Sequence, residues 1–296
     1  FPTRRSSDLL DRRLADFDPL IVAFTSMITG WGLLVQARLA PALLVKQIIW
    51  LILGTVLMCV VASLPTLTRM LRRYRYTILM AGLVLLSATL VFGVNPSGFG
   101  QELWLGAFGI YLQPSEPLKL LLVIYLAAYL ADKREMPGSG AGGQPIWMAV
   151  LGPMVAMVGV ALLLLGWQQD LGAALLFYLT FVTMVYLAWG KVWYVGLGLV
   201  LFAPVALIGT LLSSRVALRV SIWLDPWAPE QADRAFQILQ SLFAFGAGGL
   251  FGEGLGQGSP GLIPAVHTDF VYAAIVEEFG LLGALAFVFL IAAYTY

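Results

Sequence analysis

Eight apolar runs of about 20 residues follow one another along this chain, at about 18–35, 46–64, 76–93, 117–132, 146–165, 171–189, 191–212 and 272–296. Each is long enough, as a helix, to cross a hydrocarbon core of roughly 30 Å. Within lipid the backbone must satisfy its own polar groups, which only helices and closed barrels achieve. The runs lack the alternation of barrel strands, so we expect an all-α polytopic membrane protein with about eight spans. Composition agrees, since 60% of the 296 residues are hydrophobic and 11% are charged, whereas soluble domains are about 45–50% apolar. The single cysteine, Cys59, lies inside the second run, which excludes an intramolecular disulfide and a cysteine metal cluster.

Phe1-Pro2-Thr3-Arg4-Arg5-Ser6-Ser7-Asp8 reads as a translated sequencing adapter, so residues 1–8 are set aside as a non-native scar and 9–296 are taken as one membrane domain. The last run reaches Tyr296 without a polar cap, the pattern of a chain cut at its C-terminal end. Basic residues then orient the spans. Arg12 and Arg13 precede the first run, Arg69, Arg72, Arg73 and Arg75 lie between the second and third, Lys133 and Arg134 follow the fourth, and Lys191 separates the sixth from the seventh. With eight spans all these sites share one side, which the positive-inside rule makes cytoplasmic, the N-terminus with it. The run Pro137-Gly138-Ser139-Gly140-Ala141-Gly142-Gly143 is expected as a flexible linker on that side.

Three polar constellations fall on the opposite, outer side. In Gln113-Pro114-Ser115-Glu116-Pro117-Leu118-Lys119, Ser115 is an expected N-cap and Pro117 suits a first turn. Glu116 and Lys119 are three apart on one helix face, either as a structural ion pair or as the wall of a substrate cavity. In Gln168-Gln169-Asp170-Leu171-Gly172, Asp170 opens a span, either as a cap favoured by the helix dipole or as a ligand-binding carboxylate.

The third constellation is a polar island from Ser213 to Asp269, read as a long outer loop between the last two runs. Trp223-Leu224-Asp225-Pro226-Trp227 has the composition of an interfacial anchor. Phe236–Phe245 reads as a short amphipathic helix with Gln237 and Gln240 as its polar points. The glycines from Gly246 to Gly258 lack the Gly-Lys-Ser/Thr ending of a phosphate loop and instead permit tight turns and close approach to something bulky. His267 is the only histidine, and with Asp269 it can converge in a turn, in a structural or a catalytic role. Glu277 and Glu278 head the last run, where carboxylates are costly in lipid and so point to function.

In order and spacing, these segments resemble the FtsW/RodA/SpoVE family of bacterial cell-wall proteins. The resemblance runs from about residue 20 to the end. It is carried by Gln113-Pro114-Ser115-Glu116 with Lys119, Gln168-Gln169-Asp170-Leu171-Gly172, Gln237-Ile238-Leu239-Gln240-Ser241, Gly248-Gly249-Leu250 and Gly254-Leu255-Gly256. It continues in His267-Thr268-Asp269-Phe270 and Glu277-Glu278-Phe279-Gly280-Leu281-Leu282-Gly283. It implies a ten-helix membrane glycosyltransferase that polymerises lipid II into peptidoglycan, inverting the donor to a β-1,4 linkage at the outer face of the cytoplasmic membrane. It further implies a class B penicillin-binding protein as the partner transpeptidase; nothing points to nucleic acid.

Carried over by residue, Asp269 is the implied catalytic base, and Glu116, Lys119 and Asp170 match polar cavity positions. Arg215, Arg219, Gln237, Gln240, His267 and Glu277 complete the candidate substrate-binding set. The leaving diphosphate calls for positive charge, from Arg215, Arg219 and Lys119 or from a divalent cation (Mg or Mn); no metal-ligand residues are named. Three sites depart from the family pattern. Gln169 replaces proline, Pro264-Ala265-Val266 lacks the usual glutamate, and Gln101-Glu102 stands where a basic residue is frequent. Two other classes fit such charges, a lipid-precursor flippase and a non-catalytic scaffold for a transpeptidase.

Overall fold

The computed structural model describes residues 19–64, 66–96, 98, 101–107, 110–134 and 146–295. The adapter-like segment 1–8, Arg12, Arg13 and the expected linker 137–143 lie outside the described residues. The chain forms two compact units, one of Phe1–Cys59 with Gly209–Tyr296 and one of Val60–Ile208. Each of the eight apolar runs is helical. Six helices among the described residues are long and apolar enough to cross a membrane. This is an all-α, multi-pass membrane protein.

The second unit is organised around one helix. It contains α3 (Leu67–Arg73), α4 (Arg75–Phe92), the strands β1 (Leu105–Ala107) and β2 (Ile110–Leu112), and the helices α5 (Ser115–Arg134), α6 (Ile146–Trp167) and α7 (Leu171–Trp189). The helix α8 (Trp193–Leu212) carries the chain from this unit toward the other. Leu118, Leu122, Tyr125, Leu126 and Tyr129 recur at helical spacing and are fully buried, which puts α5 against α3, α4, α6 and α7. Leu79, Leu83 and Leu86 of α4 and Met154, Val158, Ala161 and Leu165 of α6 supply the facing stripes. Asp132, at the end of α5, pairs with both Arg72 and Arg75.

The antiparallel β1–β2 pair, in register Leu105↔Leu112 and Ala107↔Ile110, is not anticipated by the sequence. Strands of three residues are too short to show a period, and every side chain in them except that of Gly106 is apolar.

The first unit holds α1 (Pro19–Leu39), most of α2 (Pro41–Ser63), α9 (Ser214–Leu224), α10 (Ala232–Gly248) and α11 (Val271–Thr295). None of the described residues of α2 is buried, and beyond Lys46 and Gln47 near its start its surface is almost wholly apolar, the pattern of a helix solvated by lipid. The polar island is not one long loop, because α9 and α10 occupy much of it, joined by a short turn over 225–231, and the longest irregular stretch follows Gly248. The expected amphipathic helix is present and longer, as α10.

The last apolar run also differs from expectation. It is broken at Gly280, whose φ of 69° and ψ of −173° are non-helical. Trp31 of α1 spans the break, with its ring 5.3 Å from that of Phe279 and 5.4 Å from that of Phe287.

Candidate functional site

The glycine-rich stretch explains the broken helix. At the break, helical hydrogen bonding is lost and the stretch after α10 replaces it. Glu253 N donates to Glu277 O at 2.9 Å and Gly254 N to Glu278 O at 3.1 Å. In return Leu281 N donates to Gly249 O at 2.9 Å and Leu282 N to Leu250 O at 3.2 Å. The backbones are so close that a Cβ on Gly252 would stand 2.3 Å from Glu278 O. The bulky object approached by these glycines is therefore the chain's own last helix.

This stitching decides where Glu277 and Glu278 sit. Both are buried, at 6% and 5% exposure. Glu277 Oε1 accepts from Ser259 N at 2.7 Å, and Glu278 Oε1 accepts from Arg38 Nε at 3.0 Å. Buried carboxylates persist when paired and hydrogen bonded, and here both are engaged with the loop and with α1. Arg38 is a residue the sequence reading leaves out. Its signal is an arginine at the end of an apolar run, where a charge is costly unless it is paired.

From Ser259 the chain passes through a 3-10 turn, Pro260–Leu262, to a compact turn carrying the histidine. Ile263 and Val266 are buried against Ala244, Ala273 and Ala274. Ala265 is left-handed, with φ 53°. Its carbonyl thereby accepts three bonds, from Thr268 N at 3.1 Å, Thr268 Oγ1 at 3.0 Å and Asp269 N at 3.0 Å. His267, Thr268 and Asp269 are all exposed. No described side chain bonds or pairs with the carboxylate of Asp269.

The neighbouring helices present the other candidates of this unit. Gln237 on α10 donates Nε2 to Pro264 O at 2.7 Å, which ties α10 to the turn before His267. Gln240, half-buried, lies three residues further along α10. Arg215 and Arg219 are four apart on α9, exposed on one face, and neither makes an ion pair among the described residues. Ser213 precedes α9 without a capping bond from its side chain. Trp223 and Trp227 are exposed, and Asp225 Oδ1 accepts from Trp227 N at 3.1 Å in a tight turn.

In the second unit, Lys119 Nζ lies 2.8 Å from the Glu116 carboxylate in an i,i+3 pair near the start of α5. Neither side chain is buried. Ser115 begins the helix instead of capping it, and its buried hydroxyl has no partner among the described residues. Asp170 does cap, since Oδ1 accepts from Ala173 N at 3.1 Å and Oδ2 from Gln113 Nε2 at 3.4 Å.

The turn before Asp170 is a Schellman motif, with Gln169 left-handed at φ 58°, Gln169 N bonded to Gly166 O at 3.0 Å and Asp170 N to Leu165 O at 2.9 Å. Asp170 therefore closes α6 with its backbone and opens α7 with its side chain. Proline, held near φ −65° and lacking the N–H, cannot occupy position 169 in this turn. Gln101 Nε2 donates to Gln169 O at 3.0 Å, so two of the sites that depart from the family pattern meet. Gln169 and Ala265 are also the described non-glycine residues with positive φ.

Among the described residues, no three His, Cys, Asp or Glu side chains converge to hold a metal ion. What the first unit offers chemically is an exposed, unneutralised carboxylate in a braced turn and, on α9, a pair of exposed guanidiniums.

A profile of the FtsW/RodA/SpoVE family, a cell cycle protein family, matches residues 18–296. The chain belongs to this family. Its relative RodA of Mycobacterium tuberculosis, a peptidoglycan glycosyltransferase, is 36% identical over 303 residues, covering 96% of this chain and 64% of its own length. FtsW of Legionella pneumophila, a probable peptidoglycan glycosyltransferase, is 36% identical over 245 residues, with 82% and 59% covered. The chain thus spans less than two thirds of these relatives.

Among solved structures, a chain of a peptidoglycan synthase complex that coordinates polymerization and crosslinking matches with a TM-score of 0.69 at 25% identity, over 94% of this chain and 76% of that one. RodA of Thermus thermophilus, a rod shape determining protein, matches in fold with a TM-score of 0.62 at 23% identity, over 94% and 73%.

Proposed function

We propose that this FtsW/RodA/SpoVE family member is a peptidoglycan glycosyltransferase that polymerises lipid II into β-1,4 glycan strands. The observation that carries the reading is the likeness to a RodA glycosyltransferase, 36% identical across 96% of this chain. Asp269 is the general base. It takes the proton of the acceptor sugar's 4-hydroxyl as that oxygen attacks the donor's anomeric carbon. The new C–O bond forms as the bond to the lipid diphosphate breaks on the opposite face, which inverts the centre. Support for Asp269 comes from its exposure and its lack of a described cationic partner, which leave the carboxylate available to accept a proton. General-base assistance contributes about 10²–10⁴-fold.

Arg215 and Arg219 suit the departing diphosphate, since two guanidiniums on one helix face supply the positive charge it calls for. Gln237, Gln240 and His267 belong to the same substrate surface in this reading. Glu277 acts in it by holding the loop. Glu116, Lys119 and Asp170 contact the substrate as the family motif implies. A divalent cation, Mg or Mn, enters only as a companion of the substrate diphosphate, and no step is routed through it.

The protein sits in the bacterial cytoplasmic membrane with its N-terminus inside, as the clustering of Arg69, Arg72, Arg73 and Arg75 supports. A class B penicillin-binding protein is its transpeptidase partner, a reading supported by the peptidoglycan synthase complex among its structural neighbours.

The test is lipid II polymerisation in detergent by the full-length protein, with and without that transpeptidase, comparing wild type with Asp269→Asn. Wild type makes strands, and Asp269→Asn makes them about 10²–10⁴-fold more slowly. If neither preparation of the wild type makes strands when Mg or Mn is supplied, the enzyme reading fails and a flippase or scaffold takes its place.

A further inference from the structure

The first unit holds a polar knot that takes no direct part in the proposed reaction. Arg38 lies in the last turn of α1 and reaches three acceptors far along the chain. Nε donates to Glu278 Oε1 at 3.0 Å, and Nη2 donates to Gly258 O at 3.1 Å and to Gly256 O at 3.4 Å. One guanidinium thus joins the broken helix α11, the glycine-rich loop and the end of α1. The next residue, Leu39, packs against the cluster containing Ile263, Val266 and Ala273.

The end of α1 therefore grips the loop twice, by its carbonyls at Gly256 and Gly258 and by its apolar side chains at Ile263 and Val266. Asp269 comes three residues after Val266 and two before α11 begins. Its carboxylate is displayed between an anchor on α1 and an anchor on α11.

We infer that Arg38 is a positioning residue for Asp269. It fixes the loop to the broken helix and so sets where the carboxylate stands. The chemistry of the guanidinium explains why arginine is used. A planar fork can place one N–H on a carboxylate and another on carbonyls in fixed relative directions, which a single ammonium cannot do. Glu278 is 95% withdrawn from solvent, being 5% exposed, so its charge holds the fork in place. The catalytic half of the inference rests on the proposed role of Asp269; the mechanical half does not.

The experiment compares full-length wild type, Arg38→Ala, Arg38→Lys and Glu278→Gln in two measurements. Backbone hydrogen exchange reads the tie itself. Residues 256–269 should lose protection by about ten-fold or more in Arg38→Lys, while α10 and the second half of α11 stay protected. Lipid II polymerisation, normalised to folded protein, reads the positioning. Turnover should fall about 10–100-fold with KM for lipid II within about two-fold of wild type, because misplacing a base by about 1 Å costs on that order.

If Arg38→Ala does not fold, the milder Arg38→Lys and Glu278→Gln carry the comparison. Unchanged exchange at 256–269 in Arg38→Lys overturns the tie. Turnover within about two-fold of wild type, or a rise in KM alone, overturns the positioning role. If wild type itself makes no strands, the proposed function has failed instead, and the exchange measurement still decides whether Arg38 pins the loop.

Discussion

Replacing Gly252 by alanine tests whether the glycine-rich stretch serves the broken helix. A Cβ at this position would stand 2.3 Å from Glu278 O, 2.5 Å from Glu278 C and 2.6 Å from Gly280 N, all backbone atoms with no rotamer in which to yield. The residue also sits at φ +80°, in the left-handed region. That conformation costs alanine about 1–2 kcal/mol, and forcing a methyl into a packed site about 1–3 kcal/mol. Displacement also threatens the bonds from Glu253 N at 2.9 Å and Gly254 N at 3.1 Å, each worth about 0.5–1.5 kcal/mol net. The expected loss is about 3–8 kcal/mol, a fall of about 10 °C or more in the thermal transition.

Gly246, six residues earlier, is the internal control. It lies within α10, and a Cβ there would meet nothing within 4 Å. Gly246→Ala should be neutral or stabilising, by up to about 1 kcal/mol. The assay is thermal unfolding in detergent at one fixed scan rate. Equal stability of Gly252→Ala and wild type, or equal damage at both glycines, refutes the backbone-contact argument.

Substitutions at three other positions test the candidate residues and the turn before Asp170. Asp269→Asn should lower polymerisation by about 10²–10⁴-fold while leaving the thermal transition in place, because the side chain is exposed and makes no described contact; a large loss of stability refutes the catalytic assignment. Gln169→Pro should destabilise by about 3 kcal/mol or more, since position 169 needs φ near 58° and an N–H for Gly166 O. Gln169→Gly should be tolerated, and the two thermal transitions read side by side check the turn. Asp170→Ala should cost about 1 kcal/mol through the lost cap, while Asp170→Asn keeps most of it. A kinetic defect in Asp170→Asn at normal stability identifies a role in substrate binding beyond the cap.

The spans were legible because span formation is local. Any apolar run of this length must become a helix in lipid, and all eight did. The cap at Asp170 was legible for the same reason, since its acceptor and donor are three residues apart. Ser115 has the sequence context of a cap, but the helix begins at Ser115 itself, one position earlier than a capping hydroxyl requires. Of the two helices in the polar island, α10 is legible from its amphipathic pattern, whereas α9, only 11 residues long with mixed polar and apolar side chains, is not. The break at Gly280 was hidden because the run Val271–Thr295 is apolar enough on both sides to pass for one span.

From the sequence alone come the membrane class, the order of the spans, the family resemblance and Asp269 as the residue to test. These depend on composition or on motifs a few residues long. The tertiary structure decides what the buried carboxylates do, since Glu278 meets an arginine 240 residues away and Glu277 meets a backbone N–H 18 residues away. Lipid solvates any apolar face equally well, so a greasy run needs no particular neighbour. A buried charge needs a specific partner in a specific direction, and that partner is known only once the chain has folded back on itself.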